Sequence, residues 1–232
     1  MAAFSVLGGS LTLFDGPDGY RPSEDSFWLA ALAPPTKGAV CDLGCGTGAV
    51  GLGYLTTHRN TQNLWGFDVQ PEMVHAANKA ATYNGLNAHF KVGDIAAPPF
   101  ASGSFALTLA NPPFYNPERE MPPTNKMTKQ IKFTNTPLTN WLDAMNSLTM
   151  PQGFMALVVC AKDSHALIKK AHTLGCSLEG LLLLKTQPDK APKRAVLIFR
   201  KEEHATAENK VKEQVIATYK KPLREKYLGE RA

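Results

Sequence analysis

The sequence predicts an α/β protein with one doubly wound, mostly parallel sheet and a C-terminal antiparallel hairpin. Three observations predict it. Short apolar runs alternate with helix-length segments along most of the 232 residues, a pattern that places helices on both faces of a parallel sheet. The run at 39–43 leads into a glycine-rich turn and then a helix. The last two runs, 178–186 and 195–201, leave no room for a crossover helix, so they must pair antiparallel.

The elements follow in order from these patterns. Residues 4–14 form a predicted hairpin about Gly8-Gly9, and Ser23 caps a helix that ends before Pro34-Pro35. Seven strands are then expected, at 39–43, 64–68, 89–92, 105–110, 154–160, 178–186 and 195–201, with helices from 49 and at 71–83, 138–148 and 164–174. We divide the chain into an N-terminal hairpin and first helix (1–37), a main domain (38–201) and a charged tail (202–232), which we expect to be helical.

Composition and charge limit the functional classes. Hydrophobic residues make up 44% of the chain and charged residues 19%, which is ordinary for a globular domain. No apolar run is long enough to span a membrane, and residues 1–13 do not resemble a signal peptide. The four cysteines have no metal-like spacing, so we expect no metal and a reducing, cytoplasmic location. A net charge of +5 favours a polyanionic partner, and we favour a monomer.

The glycine-rich turn indicates a nucleotide-type cofactor. Two cofactors compete for it. The stretch from Gly46 to Gly51 matches the dinucleotide fingerprint, with Asp68 at the spacing of a ribose-binding acid. Asp42, however, ends the preceding strand, and its carboxylate would lie unfavourably close to a pyrophosphate. It suits a cofactor with a cationic amino-acid end, such as S-adenosylmethionine, together with the turn glycines Gly44, Gly46 and Gly48.

A second motif, Asn111-Pro112-Pro113-Phe114, follows the apolar run at 105–110. Proline lacks an N–H and fixes its own φ, so this segment is stiff and its carbonyls remain available as acceptors. A planar NH₂ group could donate to the Asn111 side-chain oxygen and the Pro112 carbonyl while stacking on Phe114. The alternative is an ordinary loop after a strand.

Taken in order, these motifs resemble those of class I S-adenosylmethionine-dependent methyltransferases. That resemblance implies a seven-stranded, Rossmann-like methyltransferase sheet and S-adenosylmethionine as the cofactor. The Asn-Pro-Pro-aromatic form resembles the branch that methylates planar nitrogens, either adenine N6 or the amide of glutamine. The matching positions are Asp42-x-Gly44-x-Gly46-x-Gly48, Asp68, Gly93-Asp94 and Asn111-Pro112-Pro113-Phe114.

Two further stretches, 18–29 and 191–201, resemble bacterial tRNA1(Val) adenine-N6 methyltransferases. The partner implied is tRNA or another structured RNA. Residues 21–25 also resemble the corresponding segment of release-factor glutamine methyltransferases, so that substrate stays open. A third hypothesis is a non-catalytic cofactor-binding RNA module, which predicts a damaged Asn-Pro-Pro-aromatic motif, whereas here the motif is intact.

We assign roles to the remaining candidates with a rival explanation for each. Cofactor contacts are expected from Arg21, Asp25, Asp68, Val69, Asp94, Ile95 and Asn111. Asp25 and Asp68 could instead cap helices, and Asp94 could simply form a turn. RNA contacts are expected from Lys126, Lys129, Lys193 and Arg194. The first two belong to a loop, 115–136, interpreted as a basic substrate lid or, alternatively, as an insertion without fixed structure. The latter two could be a solvated hairpin tip.

Overall fold

The computed structural model describes residues 1–59, 63–113, 136–185, 187 and 189–202, and the backbone of Val215–Tyr219. Within these residues ten strands and five α-helices are present. The strands are β1 (Ala3–Val6), β2 (Leu11–Phe14), β3 (Val40–Leu43), β4 (Leu64–Asp68), β5 (Ala88–Val92), β6 (Phe105–Ala110), β7 (Thr149–Cys160), β8 (Cys176–Lys185), β9 (Arg194–Lys201) and β10 (Val215–Tyr219). The helices are α1 (Glu24–Leu32), α2 (Ala49–Thr57), α3 (Pro71–Tyr83), α4 (Leu138–Leu148) and α5 (Ser164–Thr173).

The main sheet has the strand order β10-β8-β9-β7-β6-β3-β4-β5. Strands β3 to β7 pair in parallel, and β9 lies between β7 and β8, antiparallel to both. The predicted parallel sheet with a C-terminal antiparallel hairpin is therefore confirmed. Because β4 and β5 lie on one side of β3 and β6 lies on the other, the strand order reverses beside β3. Open sheets of this type bind ligands at such a reversal, outside the carboxyl ends of the strands.

The sheet differs from the prediction at its C-terminal edge. An eighth described strand, Val215–Tyr219, pairs in parallel with β8, where we expected a helical tail. Its sequence, Val-Ile-Ala-Thr-Tyr, is rich in β-branched and aromatic residues, and the edge of β8 offers unpaired backbone groups. The helix expectation was wrong here because the surrounding charges concealed this short β-forming run.

Two apolar clusters cover the two faces of the sheet. Helices α1 to α3 supply Trp28, Leu52 and Val74 to one face, and α4 and α5 supply Leu142 and Leu167 to the other. This arrangement is the doubly wound fold that the alternating elements predicted. Within the described residues, no helix is both long and apolar enough to cross a membrane.

The predicted N-terminal hairpin is confirmed as β1–β2, and it packs against the main domain. Leu11 and Leu13 are fully buried. The Asn84 side chain, just after α3, accepts the Thr12 N–H at 2.9 Å and donates to the Thr12 carbonyl at 2.7 Å, so it holds β2 as an additional strand would. The segment after β2 is thereby fixed above the carboxyl edge of the sheet.

Candidate active site

Strand register brings the predicted site residues to one edge of the sheet. Leu43, the last residue of β3, pairs with Phe67 of β4 and with Ala110 of β6. The residues that follow these three positions are Gly44, Asp68 and Asn111, so all three strand ends finish at the same level. The sequence patterns placed each residue at a strand end, and the parallel pairing places those ends side by side.

The glycine turn after β3 is tied to the end of β4 by backbone and side-chain hydrogen bonds. The Gly46 N–H donates to Asp68 Oδ2 at 3.0 Å, and the Cys45 N–H donates to the Phe67 carbonyl at 3.0 Å. Gly46 has a φ of +52°, and no atom of the described residues lies within 4 Å of where its Cβ would be. The turn therefore presents bare backbone to an open space above the sheet edge.

The opposite side of this turn is closely packed. Gly44 has a φ of +62°, and a Cβ there would lie 2.5 Å from Cη2 of Trp141 in α4. The Trp141 ring thus supports the turn from below, where only glycine fits. From above, the segment after β2 approaches, since a Cβ on Gly16 would lie 3.2 Å from Cγ2 of Thr47.

Asp42 is a buried carboxylate beneath the turn. Its Oδ2 accepts the Gly51 N–H of α2 at 2.9 Å, while Oδ1 is buried and has no hydrogen-bond partner among the described residues. Burial raises the pKa of Asp42 to about 7, and the nearby charge of Asp68 adds to this increase. A buried carboxylate with an unpartnered oxygen is a good acceptor for a cationic ligand group, because a cation would stabilise its charged form.

Asp68 lies at the rim of the open space, with 9% of its surface exposed. Oδ1 accepts the Gln70 N–H at 2.9 Å and Oδ2 accepts that of Gly46, which leaves a further lone pair on each oxygen for hydroxyl donors. Burial raises the pKa of Asp68, although these backbone donors oppose the increase. Tyr20 lies close enough that the charge of Asp68 adds to the effect of burial in raising the pKa of the phenol.

The donors and acceptors at this edge fit S-adenosylmethionine better than a dinucleotide. Two carboxylates lie near each other at this edge, since the charge of Asp68 raises the pKa of Asp42. A pyrophosphate would add negative charge here, whereas a sulfonium with an ammonium group would neutralise it. The exposed side chain of Val69, 62% accessible, offers an apolar surface beside Asp68 for a planar ring.

Asn111 is held by a hydrogen bond from the other side of the site. Its Nδ2 donates to Oγ of Ser26 in α1 at 2.9 Å, and Ser26 is 4% exposed. Because the amide nitrogen of Asn111 bonds to Ser26, the amide oxygen points away from Ser26. No described residue donates a hydrogen bond to this oxygen. Pro112 is buried beside it, and Phe114 lies outside the described residues.

Several predicted residues have partners that the sequence did not reveal. Asp25 and Arg194, assigned to the cofactor and to RNA respectively, form an ion pair with each other, with 2.9 Å between Arg194 Nε and Asp25 Oδ2. Arg21 pairs instead with Asp15 at 2.9 Å, and its guanidinium lies over the Phe4 ring at 4.4 Å. These contacts anchor the Arg21 side chain to the hairpin.

The remaining candidates lie at the margins of the site. Asp94 follows β5 and is exposed, and its Oδ1 accepts the Ala96 N–H at 2.9 Å, as a turn-forming aspartate does. Ile95 beside it is partly buried. Lys193 is exposed at the start of β9. Lys126 and Lys129 lie outside the described residues. Among the described residues no group of three His, Cys, Asp or Glu side chains could hold a metal ion.

Comparison with known proteins agrees with this geometry. A family model described as a methyltransferase domain matches residues 40–126, which contain the glycine turn, Asp68 and the Asn111 motif. Over this stretch the chain is similar to S-adenosylmethionine-dependent methyltransferases. The cofactor of such a domain is S-adenosylmethionine.

Curated relatives of this methyltransferase share only part of their length with it. The release factor glutamine methyltransferase of Vibrio cholerae is 36% identical over 104 residues, which are 44% of this chain and 35% of that protein. The ribosomal RNA small subunit methyltransferase C of Salmonella arizonae is 35% identical over 91 residues, which are 38% of this chain and 25% of that protein. The chain thus aligns with 25% to 35% of the length of these relatives.

Solved structures show the same fold. A SAM-dependent methyltransferase from Aquifex aeolicus superposes with a TM-score of 0.54 at 14% identity, covering 77% of this chain and 89% of that chain.

Three features of the methyltransferase site escaped the sequence patterns. Ser26 orients Asn111 across 85 positions of the chain, Tyr20 rather than Arg21 lies near Asp68, and Trp141 supports the glycine turn. A single serine or tryptophan in a helix carries no signal of such a contact. Tyr20 could have been favoured over Arg21, since a residue with an aromatic ring is more easily buried than a guanidinium.

Proposed function

We propose that this protein transfers a methyl group from S-adenosylmethionine to the N6 atom of an adenine in RNA, with tRNA as the expected substrate. The observation that carries the proposal is the amide of Asn111, which is fixed by Ser26 at 2.9 Å beside the glycine turn. The oriented amide oxygen of Asn111, followed by two prolines, suits a substrate whose methylated nitrogen belongs to a planar NH₂ group.

The chemistry explains why such an acceptor site is useful. Bound S-adenosylmethionine supplies an electrophilic methyl group on a sulfonium. Adenine N6 is a poor nucleophile because its lone pair is delocalised into the ring. The two N–H groups of N6 would donate hydrogen bonds to the Asn111 amide oxygen and the Pro112 carbonyl. These hydrogen bonds favour a nitrogen with a localised lone pair, and they stabilise the positive charge that develops on it during methyl transfer.

The other residues bind and align the reactants. We assign the cofactor's amino-acid end to Asp42, with its unpartnered buried Oδ1, and the ribose hydroxyls to Asp68. Gly46 lets the backbone approach the cofactor, while Gly44 and Gly48 let the turn pack closely against Trp141 and Ala77. Val69 with the Asp94–Ile95 segment flanks the cofactor's adenine. Holding nitrogen and methyl carbon in line lowers the entropic cost of the reaction. Phe114 stacks on the target base in this proposal.

An RNA substrate is supported by charge and by one relative. The chain carries a net charge of +5, and Lys193 is exposed immediately before β9. The Salmonella relative is named for ribosomal RNA. A base in a single-stranded loop is already accessible, whereas a paired base would have to be turned out of its helix. A cytoplasmic location follows from this proposal.

A second candidate is methylation of a protein glutamine side chain. It is favoured by the Vibrio relative, which is named for that activity and is 36% identical over 104 residues. The amide nitrogen of glutamine is also planar and carries two hydrogens, so Asn111 and Pro112 would serve it equally well.

The decisive experiment offers both substrate classes to one preparation. The purified protein is incubated with methyl-labelled S-adenosylmethionine and either unmodified bulk tRNA, unmodified ribosomal RNA or a glutamine-containing release factor. Mass spectrometry of nucleosides and peptides then locates the label. We expect N6-methyladenosine in tRNA. Label found only on glutamine would establish the second candidate, and label on a different RNA base would reject the adenine assignment.

A further inference from the structure

The first turn of α1 joins two distant parts of the chain. Asp25 and Ser26 are consecutive residues at its start, and both are buried, at 6% and 4% exposure. Ser26 Oγ accepts from Asn111, just beyond β6, while Asp25 binds Arg194 of β9. One helical turn therefore contacts the ends of two strands of the main sheet.

The Asp25–Arg194 pair is anchored at both ends. Arg194 Nη1 also donates to the Cys160 Sγ at 3.5 Å and to the Lys193 carbonyl at 3.3 Å, so three contacts fix its guanidinium. Cys160 is the residue opposite Arg194 in the β7–β9 register. The acidic partner lies at a helix N-terminus, where the helix dipole favours a negative charge. The pair thus holds the start of α1 against β7 and β9.

We infer that Ser26 is a positioning residue for Asn111, and that the Asp25–Arg194 ion pair positions Ser26. An asparagine amide can turn by 180° about its last side-chain bond and exchange its oxygen for its nitrogen. Only the orientation with the nitrogen on Ser26 directs the oxygen to a substrate NH₂ group. By accepting from Nδ2 at 2.9 Å, Ser26 Oγ holds Asn111 in that orientation without touching the substrate.

This inference rests on the proposed function only for its catalytic consequence, because the amide orientation can be measured without any substrate. The measurement is solvent exchange of the Asn111 side-chain amide protons by NMR, in protein labelled with ¹⁵N-asparagine. The resonance is identified by its absence in Asn111→Ala.

In Ser26→Ala we expect the Asn111 amide protons to exchange with solvent about tenfold faster, the factor that corresponds to one lost hydrogen bond. Ser26→Thr keeps the hydroxyl and should retain slow exchange. Arg194→Gln should accelerate the exchange by a smaller factor, because it loosens the first turn of α1 but leaves the Ser26 hydroxyl in place as the hydrogen-bond acceptor. Ser177→Ala is the matched control, a buried serine that bonds to Glu202 far along the chain from the site.

Activity provides the second readout. With the methyl acceptor identified as above, Ser26→Ala should lower the single-turnover rate about tenfold at unchanged cofactor affinity, and Ser26→Thr should restore it. A wild-type exchange rate in Ser26→Ala would overturn the inference, whatever the enzyme methylates. If exchange becomes fast in Ser26→Ala but the wild-type protein methylates none of the acceptors, the proposed function is rejected and the inference about Ser26 stands. An unchanged exchange rate in Arg194→Gln would remove the ion pair from the mechanism.

Discussion

At the scale of single residues, Asp42 and Asp68 have different environments, although the sequence predicted both at the ends of apolar strands. Asp42 is fully buried and has one oxygen without a partner in the described part of the chain, whereas Asp68 lies at the rim and accepts two backbone N–H groups. The ionised form of Asp42 therefore depends on a ligand for its stability, while that of Asp68 is already solvated by the backbone.

The raised pKa of Asp42 predicts how stability without cofactor depends on pH. The ordinary pKa is 3.8 and the folded value is about 7, so the folded state binds this proton more tightly than the unfolded chain does. The free energy of unfolding should therefore fall as pH rises between about 4 and 7, by at most about 1.4 kcal/mol per pH unit from this group.

The test is urea denaturation across that pH range. Asp42→Asn cannot ionise and should show a shallower decline than the wild-type protein. Asp143→Asn is the control, since Asp143 is an exposed carboxylate that pairs with Lys170. Parallel pH profiles for the wild-type protein and Asp42→Asn would contradict the assignment of the slope to Asp42.

Asn111 should matter for chemistry rather than binding. Asn111→Ala removes an acceptor that is used most strongly when the target nitrogen becomes cationic. The single-turnover rate should fall on the order of a hundredfold, as when one oxyanion-hole donor is lost, with little change in cofactor affinity. Asn87→Ala is the control, because Asn87 binds Asn63 at the amino-terminal edge of the sheet. A near-normal rate in Asn111→Ala would show that the motif is an ordinary loop.

At the scale of elements, the glycine turn has two functions on its two sides. One side packs against Trp141 at Gly44, and the other presents the open space above Gly46. A substitution at Gly46 therefore separates backbone strain from ligand contact, because an added Cβ meets no described protein atom.

Gly46→Ala should abolish or greatly weaken S-adenosylmethionine binding while destabilising the fold only by the cost of a positive φ, about 1–2 kcal/mol. Gly85→Ala is the matched control, since Gly85 has a φ of +63° and equally open surroundings in the turn after α3. Calorimetric titration with thermal unfolding separates the two effects. Equal cofactor affinity in both variants would mean that the cofactor does not approach Gly46.

The sequence predicted most elements correctly because alternation, turn glycines and strand-end acids are local signals. Helices α3 and α4 have the predicted bounds, 71–83 and 138–148. Strand β7 begins at Thr149 rather than 154, because pairing with Phe105 extends it across an irregularity in register. That pairing is a property of two strands together, so no local pattern indicated it.

Local patterns also limited the prediction of the candidate site. Asp42, Asp68 and Asn111 were predicted because each lies at the end of a strand or directly after it. The pairing of Asp25 with Arg194 was not found, because 169 positions separate the two residues and each had a plausible local role. Long-range pairs of this kind depend on the complete tertiary structure.

At the scale of the whole molecule, the N-terminal hairpin is part of the core and not an appendage. The Asn84 side chain makes three hydrogen bonds, two to Thr12 and one to the Ala80 carbonyl. The hairpin in turn leads into the segment that holds Gly16 over Thr47 and Tyr20 near Asp68.

Asn84→Ala should therefore lower the free energy of unfolding by about 1–3 kcal/mol, because the Thr12 backbone groups lose their partners. Cofactor affinity should also fall, since the segment above the glycine turn loses its support. Asn146→Ala is a suitable comparison, with its side chain near Cys176 on the other face of the sheet. Differential scanning calorimetry and cofactor titration provide both measurements. Undiminished stability would show that β2 is held by its apolar contacts alone.

The link between α1 and β9 has a consequence for when the site can form during synthesis. Ser26 leaves the ribosome 85 residues before Asn111, and Asp25 leaves 169 residues before Arg194. Contacts that close such long loops form late, because chain entropy opposes them until the intervening strands have paired. The nascent chain can thus build its glycine turn and place Asp42 and Asp68 at their strand ends early. The pocket around Asn111 is fixed only after β9 has been translated and inserted between its neighbours.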